Sequence, residues 1–210
     1  MVGGCSFTPQ HASDTLIVAQ RLVSLISEKG KLSKALSILK NEMVGSYCFT
    51  FLSDDSSVFA ARDPKGFRPM VIGKKEDGKT HIVASESSAL SAIGAKLERD
   101  VTPGELIKFS KNGVETEMFS TDTSTAHCSF EFTYFAHPAS KMEGFNIYMA
   151  RKNIGRFLAK KFPFKEADLV IPVPDSARPA ALGYAQELGI PFDEGLLKDR
   201  YSKKGPLRSF

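Results

Sequence analysis

Asp175 and Ser176 stand where an apolar run ends and a helical pattern begins, a placement that can bind an anion. The run Asp168-Leu169-Val170-Ile171-Pro172-Val173-Pro174 reads as a buried parallel strand ending in a Pro-rich turn. Asp175-Ser176 then opens a helix through Leu188, ended by Gly189. The first turn of a helix has free N–H groups and partial positive charge, so the N–H groups near Asp175, Ser176 and Ala177 could cradle a phosphate. Ser176 adds a hydroxyl, and Arg178 sits two residues further on. Ser and Asp are also common helix caps, and the residue types leave both roles open. Asp14, after Ser13, is a second candidate, an acid in a first helical turn where the dipole favours it. Cys128 is the third, beside His127, although His11, His81, His127 and His137 show no metal-ligand spacing.

The elements that must hold these groups follow from hydrophobic period. Ser13-Asp14-Thr15 opens a helix to Lys29, closed by Gly30, with Val18, Leu22, Leu25 and Ile26 on one apolar face. A second helix spans about Leu32 to Asn41, with Leu32, Ala35, Leu36 and Leu39 at the same spacing. The period then drops to two. Tyr47, Phe49 and Phe51 alternate with polar neighbours, and the turn Ser53 to Ser56 returns the chain as a hairpin over Val58 to Ala61. A turn at Asp63-Pro64-Lys65-Gly66 leads to a second hairpin, Met70-Val71-Ile72 against His81-Ile82-Val83. A short helix near Glu86 to Ile93 precedes strands near Leu106-Ile107 and Val114 to Phe119. Helices followed by antiparallel strands predict an α+β layered domain, and residues 120–127 form a polar linker.

Between the two halves lies the joint Cys128-Ser129-Phe130-Glu131-Phe132-Thr133-Tyr134-Phe135-Ala136-His137-Pro138. If extended, it places Phe130, Phe132 and Tyr134 on one face, the pattern of a core strand between two layers. Beyond it, Asn146 caps a helix to about Lys161 with apolar positions at Ile147, Ile154, Phe157 and Leu158. Ile190-Pro191-Phe192 starts the strand that would complete a β-α-β unit.

Of the 210 residues, 42% are hydrophobic and 25% charged, which suits one or two globular domains. No apolar run approaches the roughly 18 residues of a membrane span, and the N-terminus lacks a secretory pattern. The net charge of +4 is spread along the chain, so no nucleic-acid stripe is expected. Three widely spaced cysteines, Cys5, Cys48 and Cys128, argue against a disulfide framework and for a reducing cytoplasm.

Several segments resemble, in order, the amidophosphoribosyltransferases (glutamine phosphoribosylpyrophosphate amidotransferases) of purine biosynthesis. They are Ser13-Asp14, Arg62-Asp63-Pro64-Lys65-Gly66-Phe67-Arg68-Pro69, Ala84-Ser85-Glu86-Ser87, Thr102-Pro103-Gly104-Glu105, the joint from Cys128, Val170 to Ser176, and Lys198-Asp199-Arg200-Tyr201. The resemblance implies an incomplete αββα glutaminase domain of the Ntn-hydrolase type, followed by the start of a type I phosphoribosyltransferase α/β domain. It sets the boundaries at 1–127, a joint over 128–145, and 146–210. It implies that Asp14 holds the amino group of glutamine, and that the loop of Asp175, Ser176, Ala177 and Arg178 binds the pyrophosphate of phosphoribosyl pyrophosphate with Ser176 at a magnesium site. Cys128 matches one of four iron–sulfur ligands found in one branch of the family. Three scattered cysteines cannot supply four thiolates, so a buried free thiol is expected at Cys128 and no cluster. Cys5 lacks the segments that accompany the family's catalytic cysteine, and the family's pattern after Arg200-Tyr201 is not followed. The expectation is therefore a truncated middle segment that lacks both catalytic centres, is inactive alone and is cytoplasmic. It would be a homo-oligomer, or one piece of a split enzyme with a separately encoded remainder. The alternative is a non-catalytic fragment that binds a ligand or partner.

Overall fold

The computed structural model describes residues 13–122 and 124–198, so Cys5, His11 and the Asp199-Arg200-Tyr201 end of the last motif lie outside the described residues. The helices are α1 (Asp14–Lys29), α2 (Leu32–Glu42), α3 (Ser87–Ala92), α4 (Ile147–Lys161) and α5 (Arg178–Leu188). The strands are β1 (Cys48–Leu52), β2 (Val58–Arg62), β3 (Val71–Lys75), β4 (His81–Ala84), β5 (Ala95–Asp100), β6 (Glu105–Ser110), β7 (Gly113–Met118), β8 (Lys141–Met142) and β9 (Phe145–Asn146). The class is mixed α+β, as the patterning predicts. Contacts gather the chain into two compact units, one from residues up to 67 plus 102–126, the other from 68–101 plus 127 onward.

In the first unit, α1 begins and ends where its capping residues require. The Ser13 hydroxyl accepts from the Leu16 N–H at 3.4 Å, and Gly30 closes the helix at φ 68°. Leu22 and Leu25 pack with Ala35, Leu36 and Leu39 of α2 against Tyr47, Ala61, Leu106 and Phe119. Arg21 of α1 also grips Glu42 at the end of α2, with Nε to Oε2 at 2.7 Å and Nη2 to Oε1 at 2.6 Å. The sheet under these helices is antiparallel, in the order β1-β2-β6-β7. After β2 the chain turns on Asp63, whose carboxylate accepts from the N–H groups of Lys65 (3.0 Å) and Phe67 (3.2 Å). Arg62, also buried, donates from Nη2 to the Gly66 carbonyl at 3.0 Å. Gly66 has φ +61°, and a Cβ there would lie 2.6 Å from Pro103 Cγ, so the turn requires glycine.

The second unit holds the sheet β4-β3-β5, with α3 packed on it through Leu90. Strand β5, Ala-Lys-Leu-Glu-Arg-Asp, was not expected from the sequence, because it has one large apolar residue and finds its place only by pairing with β3.

The joint corrects the expectation most sharply. Residues 129–135 are helical rather than extended, and Glu131–Phe135 form a π-helical turn in which the Ala136 N–H donates to the Glu131 carbonyl at 3.1 Å. Phe130, Tyr134 and Phe135 are 62%, 47% and 55% exposed, so the aromatic stripe is not a core strand. Phe132 alone of the four leans on the small core of Ala136, Met142 and Ile147. The cause is Arg151 of α4, only 2% exposed. It donates to the carbonyls of Phe132 (2.8 Å), Glu131 (3.5 Å) and Ala136 (2.7 Å), filling acceptors that a turn of helix leaves open.

Helix α4 starts as expected, with Asn146 Oδ1 accepting from the Met149 N–H at 3.0 Å. Its buried face differs: Ile147, Arg151, Gly155 and Ala159 point inward, whereas Ile154, Phe157 and Leu158 are exposed. The selection is steric, because Gly155 lies against the Ala180 carbonyl of α5 and Gly183 of α5 lies against the Lys152 carbonyl. Small residues let the two helix backbones touch, and the larger apolar side chains are displaced outward. The 168–174 run does pair in parallel, through a single bridge between Val170 and Phe192. It is not wholly buried: Leu169, Ile171 and Val173 are exposed, because this single bridge is the pairing it makes among the described residues.

Candidate functional site

The predicted phosphate loop lies between the Val170–Phe192 bridge and α5. Helix α5 opens at Arg178 rather than at Asp175, with Pro179 in its first turn and Ala177 as its N-cap residue, and no side chain caps it. Asp175 and Ser176 are therefore not its caps. They form the turn before it, and the Arg178 N–H reaches back to the Asp175 carbonyl at 3.4 Å. The fold thus brings Asp175, Ser176, Ala177 and Arg178 together in one turn.

That turn is bound by charge. Arg178 Nη1 donates to Asp175 Oδ1 at 2.9 Å. Its other edge faces Glu194, with Nε 2.7 Å from Oε1 and Nη2 donating to Oε2 at 3.2 Å. Lys198 Nζ lies 3.8 Å from Asp175 Oδ2. All four side chains are at least partly open to solvent, so each pair is worth little by itself. Together they gather two cations and two carboxylates around the turn. Glu194 has no sequence signal: it follows Phe192 by two positions and meets Arg178 only because the parallel bridge brings the second strand alongside.

Asp14 sits exposed in the first turn of α1, in the first unit. Cys128 is a free, half-buried thiol rather than a fully buried one, and Cys48 is a free, exposed thiol on β1. Among the described residues no group of three or more His, Cys, Asp or Glu could hold a metal ion. The described thiols do not assemble a ligand set for an iron–sulfur cluster. Ser176 has no preassembled carboxylate set for magnesium either, Asp175 being taken up by Arg178 and Lys198.

A polar network in the second unit explains two further motifs structurally. Glu86 Oε2 accepts from the His137 N–H at 2.7 Å and from the Ser140 hydroxyl at 2.8 Å, while the Ser87 hydroxyl accepts from the Lys141 N–H at 2.8 Å. Arg68 Nη1 lies 2.8 Å from Glu131 Oε1, and its guanidinium stacks 5.1 Å above the Phe135 ring. Burial pushes the Glu131 carboxyl above its ordinary range despite Arg68, and burial lowers the Arg151 guanidinium. These residues fasten the joint to α3 and the sheet.

Comparison with known proteins agrees with this architecture. A family model described as a glutamine amidotransferase domain matches residues 5–92. The amidophosphoribosyltransferase of Archaeoglobus fulgidus is 42% identical over 189 residues, covering 90% of this chain and 40% of the relative. That of Bacillus subtilis is 39% identical over 194 residues, 91% of this chain and 39% of the relative. That of Mycobacterium tuberculosis is 45% identical over 157 residues, 75% of this chain and 29% of the relative. The solved glutamine phosphoribosylpyrophosphate amidotransferase of Bacillus subtilis, complexed with ADP and GMP, superposes with TM-score 0.83 at 37% identity, covering 96% of this chain and 43% of that one. A structure described as the allosteric regulatory enzyme of purine biosynthesis superposes with TM-score 0.84 at 36% identity, covering 99% of this chain and 43% of that one. The chain spans about two fifths of the length of the first of these relatives. No helix among the described residues is long and apolar enough to cross a membrane.

Proposed function

Starting from a chain that is amidophosphoribosyltransferase-like in sequence and fold over nine-tenths of its length, we propose that it takes part in the reaction that gives those relatives their name. Glutamine supplies ammonia, and the ammonia displaces pyrophosphate at C1 of the ribose of phosphoribosyl pyrophosphate. The observation that carries this reading is the turn at Asp175–Arg178, set between a parallel bridge and the N-terminus of α5 with two cations around it. In this role the N–H groups of Ser176 and Ala177, the Ser176 hydroxyl and the Arg178 guanidinium receive the pyrophosphate. The Ser176 hydroxyl would be this turn's contact for a magnesium ion carried by the phosphates, whose charge that ion would offset. Asp14, an exposed carboxylate at a helix start, pairs with the ammonium of glutamine. The setting is a cytoplasmic biosynthetic one.

A second observation favours a partner. On the second unit Phe130, Tyr134 and Phe135 stand exposed with their rings grouped, Phe135 lying 6.2 Å from Phe130 and 5.5 Å from Tyr134, an apolar display of the kind that marks an interaction surface. A second copy of the chain, or a separately encoded remainder of the enzyme, would cover it.

The test is titration of the chain with pyrophosphate, and with phosphoribosyl pyrophosphate plus magnesium, followed by backbone amide shifts. Saturable shifts centred on residues 174–178 support the reading. Shifts elsewhere, with none at 174–178, reject it.

A further inference from the structure

The extended run that leads into the Asp175 turn is paired along one edge only. The Val170 N–H donates to the Pro191 carbonyl at 2.9 Å, and the Val170 carbonyl accepts from the Asp193 N–H at 3.2 Å. Along a strand, backbone groups alternate in direction as side chains do. With Val170 turned toward residues 191–193, the N–H and carbonyl groups of Leu169, Ile171 and Val173 are turned away. None of them meets a backbone partner among the described residues. The prolines do not spoil this outer edge. Pro172 and Pro174 fall on the positions between, so each outward-facing residue keeps its donor.

The two faces of the run differ as well. Pro172 is fully buried, whereas Leu169, Ile171 and Val173 are 48%, 44% and 41% exposed. An open edge beside an apolar face is what sheet proteins ordinarily cover, or blunt with charge, and residues 169–173 carry no charge.

The pattern is its own complement. A two-fold axis through Ile171, perpendicular to the sheet, generates an antiparallel strand that sets Ile171 against Ile171 and Leu169 against Val173. All three pairs join outward-facing residues, so each exchanges two backbone bonds, about six in all. Their side chains share the exposed face, apolar against apolar. The same rotation sets Asp168 opposite Pro174, next to the turn that Lys198 reaches. Lys198 lies 3.8 Å from Asp175 and keeps N–H groups for a second carboxylate. A contact of this kind closes at two copies.

We propose that two copies of this chain pair through residues 169–173, antiparallel about Ile171, and so join their strands into one sheet.

Sedimentation velocity of the whole chain over a range of concentrations is the test. The paired run is short and its contact smaller than that of a stable dimer, so the dissociation constant should be on the order of 100 μM. Ile171→Lys, at a half-exposed position, sets two like charges directly opposite each other at the axis and should weaken association about tenfold or more. Amide exchange gives the same reading without a variant. The N–H groups of Leu169, Ile171 and Val173 should exchange freely in dilute solution and slow as concentration rises. A chain that stays monomeric at millimolar concentration would overturn the proposal, as would edge amides whose exchange ignores concentration. A dimer that survives Ile171→Lys would overturn it too, by placing the contact elsewhere, such as at the aromatic group of the joint. Pyrophosphate plays no part in these measurements, so this proposal and the reading of the 174–178 turn fail separately.

Discussion

Replacing Gly155 with alanine sets two effects of opposite sign against each other. In a solvent-facing helix the change stabilises by about 1 kcal/mol, because alanine has the higher helix propensity. Here the new Cβ would lie 2.6 Å from the Ala180 carbonyl carbon and closer still to its oxygen. Ordinary contact is about 3.5 Å, so α5 must retreat by an ångström or more. The obstacle is helix backbone, which cannot swing aside as a side chain can. Overpacking of this kind costs about 1–3 kcal/mol, and the upper end applies where backbone blocks backbone. Net of propensity, Gly155→Ala should destabilise the second unit by about 2 kcal/mol, or roughly 4–8 °C in Tm for a chain of this size. Gly183→Ala meets the Lys152 carbonyl in the same way and should behave alike. Because α5 carries Arg178, both variants should also weaken pyrophosphate binding at the turn. Urea and thermal melts followed by far-UV circular dichroism measure the first effect, and amide shift titration the second. A Gly155→Ala protein as stable as the parent would refute the close helix contact and the reasoning built on it.

Three further outcomes are expected. Arg151→Met keeps bulk but strips the donors from the carbonyls of Glu131, Phe132 and Ala136, and should cost about 3 kcal/mol and speed amide exchange at residues 131–136; unchanged exchange there would contradict the account of the joint. Glu131 has its pKa raised from 4.5 by burial, so its contribution to stability is fully present below that value and is lost as pH rises through the folded pKa. Glu131→Gln should therefore flatten the fall in stability from about pH 4.5 upward, as urea melts at successive pH values will report; an unchanged slope would count against it. At the turn, Ser176→Ala should weaken pyrophosphate, itself expected to bind in the millimolar range, about fivefold. Ser176→Glu should abolish binding, and Glu194→Gln should tighten it a few-fold by releasing Arg178, all measurable by isothermal titration calorimetry.

The sequence by itself determined what depends on neighbours along the chain. Ser13, Gly30 and Asn146 set helix ends because a cap acts on N–H and carbonyl groups within a turn of itself. The hairpin of β1 and β2 was legible because its strands alternate at period two around a short turn. The ordered motifs carried the likeness to amidophosphoribosyltransferases, which the comparisons match over most of the chain. Tertiary structure decided whatever is settled by a distant partner. Strand β5 exists because β3 offers it an edge. The aromatic joint coils because Arg151, some twenty residues on, supplies its carbonyls with donors, an interaction that no local period encodes. The inner face of α4 was chosen by how closely α5 can approach Gly155, against the order of side-chain size. Asp175 reads as a cap, yet it is an ion-pair partner: Arg178 reaches it from three residues on, and Lys198 from the segment that follows the Val170–Phe192 bridge.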